Sequence, residues 1–160
     1  SKKMSEILCE TYSQTYGLDI KIARIFSGYG PNSAKSNLIF NIFNQIIYNS
    51  KISLGNSSPK RDFIFISDII SGLIKIINSK KRGFQIYNIG SGKSTSVKDL
   101  VKICLNLSNK NLKLISSKEN ERKNEIFDVH ADISKMRSEF NWIPKISLKK
   151  GLGITYNSFR

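Results

Sequence analysis

Four groups of residues in this 160-residue chain have the types and spacing that could do chemistry. Gly90-Ser91-Gly92-Lys93-Ser94-Thr95 follows an apolar run and precedes a helical pattern, the setting in which glycine-rich backbone amides cradle phosphate. Its register is wrong for that task. A phosphate loop needs glycine five positions ahead of Gly92, where Tyr87 stands, and a dinucleotide turn needs Gly or Ala at Thr95. The segment therefore reads as a tight turn that ends a strand and caps a helix. Arg61, beside Asp62 at the mouth of the run Phe63 to Ile66, carries a planar fork able to donate two hydrogen bonds to a diphosphate at once. The same two residues also read as an ordinary Arg–Asp ion pair. Arg122, in the polar loop Glu119 to Glu125, either clasps a second phosphate or is a solvated charge. His130, between Asp128 and Asp132, has no Cys or Ser constellation around it, and no Gly-x-Ser-x-Gly elbow occurs, so neither a general base nor hydrolase chemistry is assigned.

These side chains need elements to hold them. Met4, Ile7, Leu8 and Tyr12 recur at helical spacing between Ser1 and Tyr16, and Gly17 stands where a helix would stop. Asp19 to Phe26 alternates apolar and polar residues before Gly28-Tyr29-Gly30-Pro31, which predicts a strand feeding a loop. A helix over Asn37 to Tyr48, a strand Ile52 to Leu54 and a turn-rich Gly55 to Pro59 follow. Phe63 to Ile66 predicts a buried strand, with Ser67 or Asp68 capping a helix to Asn78. Next come a strand Phe84 to Ile89, candidate caps Ser94 to Ser96 for a helix to about Leu107, and a short strand Leu112 to Ile115. The polar stretch Ser116 to Asn124 predicts a surface loop, Asp132 to Phe140 a short helix, and Trp142-Ile143-Pro144 a rigid turn before a last helix near Leu148. Alternation of this kind, without internal repeats, predicts an α/β fold.

Composition narrows the partners. At 39% hydrophobic and 24% charged the chain can build one modest domain with a core. Lys and Arg number 26 against 12 acidic residues, a net charge of +14 that invites a nucleic-acid or membrane reading. The runs Lys2-Lys3, Lys80-Lys81-Arg82 and Lys149-Lys150 are scattered, however, with no basic stripe and no aromatic–basic alternation, so nucleic acid is not the expected partner. Cys9 and Cys104 lie far apart and His130 stands alone, which excludes a disulfide framework and a structural zinc site built from these side chains; no metal is expected. No run approaches the roughly 18 apolar residues of a membrane span, and no signal-peptide core follows Ser1-Lys2-Lys3-Met4, so a cytoplasmic location without membrane contact is the expectation.

Five segments taken in order form a pattern: Ser1-Lys2-Lys3-Met4-Ser5-Glu6, Arg24-Ile25-Phe26-Ser27-Gly28-Tyr29-Gly30-Pro31, Arg61-Asp62-Phe63-Ile64-Phe65-Ile66-Ser67-Asp68, Tyr87-Asn88-Ile89-Gly90-Ser91-Gly92 and Phe140-Asn141-Trp142-Ile143-Pro144. Together they resemble the C-terminal half of the NAD-dependent sugar-nucleotide epimerases and dehydratases, in the extended short-chain dehydrogenase/reductase family that includes UDP-glucose 4-epimerase. The resemblance implies the C-terminal part of a Rossmann-like parallel sheet interleaved with a small α/β substrate-binding domain across residues 1–160. It implies NAD as cofactor, a nucleoside-diphosphate sugar as substrate, a keto-sugar intermediate and a homodimer of the full-length protein. Lys2 matches the lysine of the family's Tyr-x-x-x-Lys pair, with a catalytic and cofactor-binding role, and Phe26 and Ser27 fall at the cofactor as well. Arg61 and Arg122 match the two arginines that clasp the diphosphate, Asn37 and Leu38 the helix start that contacts the phosphates, and Ile52 to Leu54 the strand that lines the base pocket.

Three positions depart from the pattern. Ser27 replaces the asparagine that many members place near the sugar, Ile39-Phe40 stand where Asn-Leu is often followed by proline, and Arg122-Lys123-Asn124-Glu125 replaces Arg-x-Gly-Asp. The family's glycine-rich cofactor turn does not occur in these residues, so the expectation is a C-terminal portion that, by itself, is inactive, does not retain NAD and exposes apolar surface from strands that would normally be covered on both faces. The alternative from another class is a non-catalytic, degenerate reductase-like module that presents its basic surface to RNA or a protein partner. Steep loss of binding with salt and indifference to a sugar nucleotide would mark it.

Overall fold

A computed structural model describes residues 1–117 and 125–159. The elements run α1 (Lys2–Tyr16), β1 (Ile20–Ile25), β2 (Ser27–Tyr29), α2 (Leu38–Tyr48), β3 (Lys51–Leu54), β4 (Lys60–Arg61), β5 (Phe63–Phe65), α3 (Ile66–Ile77), β6 (Phe84–Ile89), β7 (Thr95–Ser96), α4 (Val97–Ser108), β8 (Lys113–Ser116), β9 (Asp128–Val129), α5 (Ser134–Phe140) and α6 (Leu148–Asn157). The fold is α/β with parallel pairing, as the alternating pattern implies.

β1 pairs in parallel with β6, from Ile20 opposite Phe84 to Ile25 opposite Ile89. Ala23 packs into a cluster with Ile69 and Ile76 of α3, while Arg24, one residue on, reaches Glu6 of α1. Successive side chains of a strand point to opposite faces, so α3 and α1 cover the two faces of this pair. The chain then changes partner. The amide of Phe26 still donates to Ile89, at 3.0 Å, whereas that of Ser27 donates to Asp62, at 3.0 Å, and β2 continues in parallel with β5. Sheet continuity breaks at Phe26–Ser27, which opens a crevice outside the carboxyl end of β1, where α/β proteins bind ligands.

The rest forms a second core. α2, α4 and α6 enclose Ile39, Ile42, Phe43, Ile46, Leu100, Cys104 and Leu152 against Ile52 and Leu54 of β3, which pairs in parallel with β8. β4 lies between β7, antiparallel, and β9, parallel; each of these strands is two residues long.

Local chemistry explains most boundaries. Gly17 closes α1 with φ +66°, Asn37 accepts the amide of Ile39 at 2.9 Å at the start of α2, and Ser96 accepts the amide of Asp99 at 3.0 Å at the start of α4. Three expectations need correction. Ser67 and Asp68 do not cap α3, which begins at Ile66; Asp68 is buried and accepts the amides of Lys145 and Ile146, tying the helix to the segment before α6. The segment after Phe26 is not a loop but β2, because it finds a parallel partner far along the chain that local alternation does not reveal. The apolar surface expected on the strands is corrected: Phe63 to Phe65 are buried and neither Phe26 nor any of Phe84 to Ile89 is exposed, since α1 and α3 cover the β1–β6 pair. The outward-facing apolar side chains lie mainly on helices instead, Met4, Ile7, Leu8 and Tyr12 of α1 and Ile70, Ile74 and Ile77 of α3. No helix among the described residues is long and apolar enough to cross a membrane.

The core makes stability depend on alkaline pH. Burial pushes the Cys104 thiol from its ordinary 9.0 up to about 12, and burial together with a hydrogen bond to Glu139 pushes the Tyr87 phenol from 10.0 up to about 12. Burial raises Tyr29 too, with Asp68 adding to it. The folded chain holds these protons more tightly than the unfolded chain, which therefore binds fewer of them once pH passes 9 and 10. The contribution is complete below those values and is lost as pH rises toward 12. Melting temperature followed from neutral to strongly alkaline pH is expected to fall above about pH 9; a flat profile would contradict the burial of these groups.

Candidate functional site

The site grows from the break in the sheet. A cavity of about 580 Å³ is bounded by Ser27 and Gly28 of β2, by Ser36, Asn37, Leu38, Ile39 and Asn41 at the start of α2, by Ser53 to Asn56 at the end of β3, and by Arg61, Phe63, Val97 and Glu125. A second, more open recess of about 420 Å³ lies beside it, formed by Arg24 to Ser27, Arg61, Asp62 and Val129. Ser27 and Arg61 border both.

Helix α2 aims its first turn at the larger cavity. Asn37 supplies two bonds at this point: its side-chain oxygen caps Ile39, and its Nδ2 donates to the carbonyl of Gly28 at 3.1 Å. The second bond locks the helix start onto β2, where a Cβ on Gly28 would meet Ile69 Cδ1 at 2.8 Å. The far wall is the end of β3, whose Ser53 amide donates to Gln45 Oε1 at 2.7 Å while its carbonyl accepts from Gln45 Nε2 at 3.1 Å. Helix α2 therefore fixes both sides of the cavity.

Arg61 supplies the charge. Its Nη1 donates to the carbonyls of Lys60 and Ile126, at 2.7 and 2.8 Å, and its Nη2 donates to Glu125 Oε1 at 3.2 Å. A guanidinium has five N–H donors, so two remain uncommitted among the described residues at the border of the two recesses. The Arg61–Asp62 ion pair is thus corrected: the partner of Arg61 is Glu125. Asp62 turns the other way, accepting the amides of Ser91 and Gly92 at 2.7 and 2.9 Å. The glycine-rich turn does present backbone amides to an anion, and that anion is the protein's own carboxylate.

The expected site residues divide clearly. Asn37, Leu38, Leu54, Arg61 and Ser27 border the larger cavity, and Phe26 with Ser27 borders the open recess. Ile52 does not border it: it is fully buried in the core, on the same face of β3 as Leu54, and only the strand's last residues, Ser53 and Leu54, reach the cavity. Lys2 is exposed in the first turn of α1 and borders neither recess, and Arg122 lies outside the described residues. His130 is exposed, 3.9 Å from Asp128, and also borders neither. Asn41, Asn56 and Glu125 were not expected at the cavity. Asn41 follows Asn37 by one helical turn and so shares its face, a signal the sequence contains; Asn56 and Glu125 arrive through loop geometry that it does not. No cluster of metal-ligating side chains occurs among the described residues.

Comparison with known proteins agrees with this architecture. The UDP-glucuronate 4-epimerase of Thermodesulfobacterium geofontis is 36% identical over 159 residues, 98% of this chain and 48% of that protein. The crystal structure of UDP-glucuronic acid 4-epimerase from Bacillus cereus, in complex with UDP-glucuronic acid and NAD, superposes with TM-score 0.82 at 28% identity, over 96% of this chain and 49% of the other. The epimerase Mth375 of Methanothermobacter thermautotrophicus shares the fold at TM-score 0.89 and 24% identity, over 99% of this chain and 48% of that one. The chain spans about half the length of the curated relatives it matches. With the family profile described as GDP-mannose 4,6 dehydratase matching residues 1–155, on a parallel α/β fold that breaks open beside an arginine, the chain belongs to that family, within the extended short-chain dehydrogenases/reductases.

Proposed function

We propose that this chain forms the substrate-holding part of an NAD-dependent enzyme that epimerises, dehydrates or decarboxylates a nucleoside-diphosphate sugar. The observation that carries the reading is the shared border of the two recesses at Ser27 and Arg61. A nucleotide placed along α2 and the end of β3 brings its diphosphate to the N–H groups of Arg61 that are uncommitted among the described residues, and the attached sugar then extends past Ser27 toward the open recess beside Phe26. That recess lies at the carboxyl end of β1, where a nicotinamide fits, with Phe26 and Ser27 as its contacts in this chain.

When bound, the cofactor supplies reversible hydride acceptance from the sugar. This chain's own residues bind and orient. Arg61 neutralises and grips the diphosphate, the first turn of α2 offers Asn37 and its neighbours to the nucleotide, and Lys2 carries the ammonium that the family pairs with its catalytic phenol. Among the described residues Arg61 is the one cation at the larger cavity, and Arg24 joins it at the open recess, so only a small part of the +14 charge faces such a ligand.

The experiment is a product assay on the full-length protein with NAD and a panel of UDP- and GDP-sugars, UDP-glucuronic acid included. Epimer formation keeps the mass, dehydration lowers it by water and decarboxylation lowers it by carbon dioxide, so chromatography with mass detection separates the three. Saturable turnover of at least one sugar nucleotide is expected. Failure to bind any of them, with polyanion binding that collapses as salt rises, would replace this reading with the basic binding module.

A further inference from the structure

We infer that Asp62 is a positioning residue, the group that holds Arg61 at the border of the two recesses; the inference rests on the reading of Arg61 as the diphosphate-binding arginine. Arg61 stands on β4, a strand of two residues whose neighbours β7 and β9 are equally short, pairing through Thr95 and Val129. A ladder of this size does not hold itself in place. What anchors it is the next residue. Asp62 is 1% exposed, and its two oxygens accept four hydrogen bonds: from the amide and hydroxyl of Ser91 at 2.7 and 2.6 Å, from the amide of Gly92 at 2.9 Å and from the amide of Ala131 at 3.0 Å.

These donors lie just before β7 and just after β9, so one side chain ties down both strands that flank Arg61. Its backbone carbonyl meanwhile accepts the amide of Ser27 and joins β2 to the same point. The guanidinium depends on that arrangement, because two of its acceptors, Glu125 and the carbonyl of Ile126, lie just before β9, the strand whose far end Asp62 ties down through Ala131. Gly90 makes room for the carboxylate: a Cβ there would lie 2.7 Å from Asp62 Oδ2 and 2.4 Å from the Cβ of Ala131. The glycine-rich turn thus serves ligand binding without touching the ligand.

The test is calorimetric titration of the full-length protein with UDP and with uridine, for wild type, Asp62→Asn and Gly90→Ala. Uridine reports a folded nucleoside pocket; the UDP-to-uridine affinity ratio reports the arginine. Loss of a well-placed charged hydrogen bond predicts a fall of about tenfold in that ratio in Asp62→Asn, with a fall in the same direction in Gly90→Ala, which keeps the carboxylate but displaces it. Labelling of Arg61 by phenylglyoxal, mapped by mass spectrometry, is expected to accelerate in both. If either variant does not fold, Ser91→Ala removes only one of the four bonds and is expected to give a smaller shift in the same direction. Folded variants with unchanged ratio and unchanged labelling overturn the inference. Wild-type protein that holds UDP no more tightly than uridine would remove the diphosphate role of Arg61 itself; the labelling rate then decides the positioning role, faster labelling supporting it and an unchanged rate overturning it.

Discussion

Replacing Arg61 with alanine is expected to weaken the binding of a UDP-sugar by about a hundredfold, two charge-assisted hydrogen bonds being worth about 1.5–3 kcal/mol each before other contacts compensate. The two N–H groups without a partner among the described residues are the ones a diphosphate would take. Uridine, which lacks the phosphates, should bind the variant within about twofold of wild type, since nothing it needs has been removed. Arg61→Lys separates charge from geometry: an ammonium keeps the attraction but not the planar fork, so an intermediate affinity is expected. Titration of the three proteins with both ligands checks the result. Equal losses for UDP-sugar and uridine would mean that Arg61 supports the cavity rather than the phosphates, because its bonds to Ile126 and Glu125 also brace the entry to β9.

That double duty shows where sequence reasoning reaches and where it stops. Helices were legible because their signals are local: Gly17 after α1, the side-chain cap of Asn37 on α2 and the Ser96 cap on α4 each act within a few residues of the end they fix. The long strands β1 and β6 were legible from their apolar runs. The two-residue strands β4, β7 and β9 were not, since their pairing joins residues 60–61, 95–96 and 128–129, and no local pattern encodes a partner that distant. The site divides along the same line. Asn37 and Arg61 stand out by type and context, whereas Glu125 reaches the cavity through an ion pair with Arg61, a residue far away in the chain. Asp62 was visible as an acid beside a base, and that adjacency suggested the wrong partner: consecutive residues near a strand end point apart, one to solvent and one inward. Ile52 misses the cavity for a different reason, its depth in the core: Leu54, on the same face of β3, reaches the cavity because it ends the strand.

Because the cavity is fixed from both sides by α2, the residue that seats this helix should control the stability of the whole site. Phe43 is fully buried on α2, with its ring 5.2 Å from that of Tyr156 on α6 and 5.8 Å from that of Phe159, just past the end of α6. Phe43→Ala removes a large apolar side chain from a packed interior and leaves a cavity, at a cost of about 3–5 kcal/mol. For a chain of this length that lowers the melting temperature by roughly 6–20 °C. Tyr48, on the last turn of the same helix, is 74% exposed, and Tyr48→Ala is expected to change stability by no more than about 0.5 kcal/mol. Thermal melts of the pair check the contrast, and UDP titration well below the transition adds the link to function. Phe43→Ala should bind UDP nearly as wild type while it remains folded, because the aromatic ring touches the core and not the cavity, and should lose binding and structure together on heating. Early loss of UDP binding in a still-folded Phe43→Ala protein would instead show that the helix start can come loose from β2, despite the bond from Asn37 to Gly28, before the core gives way.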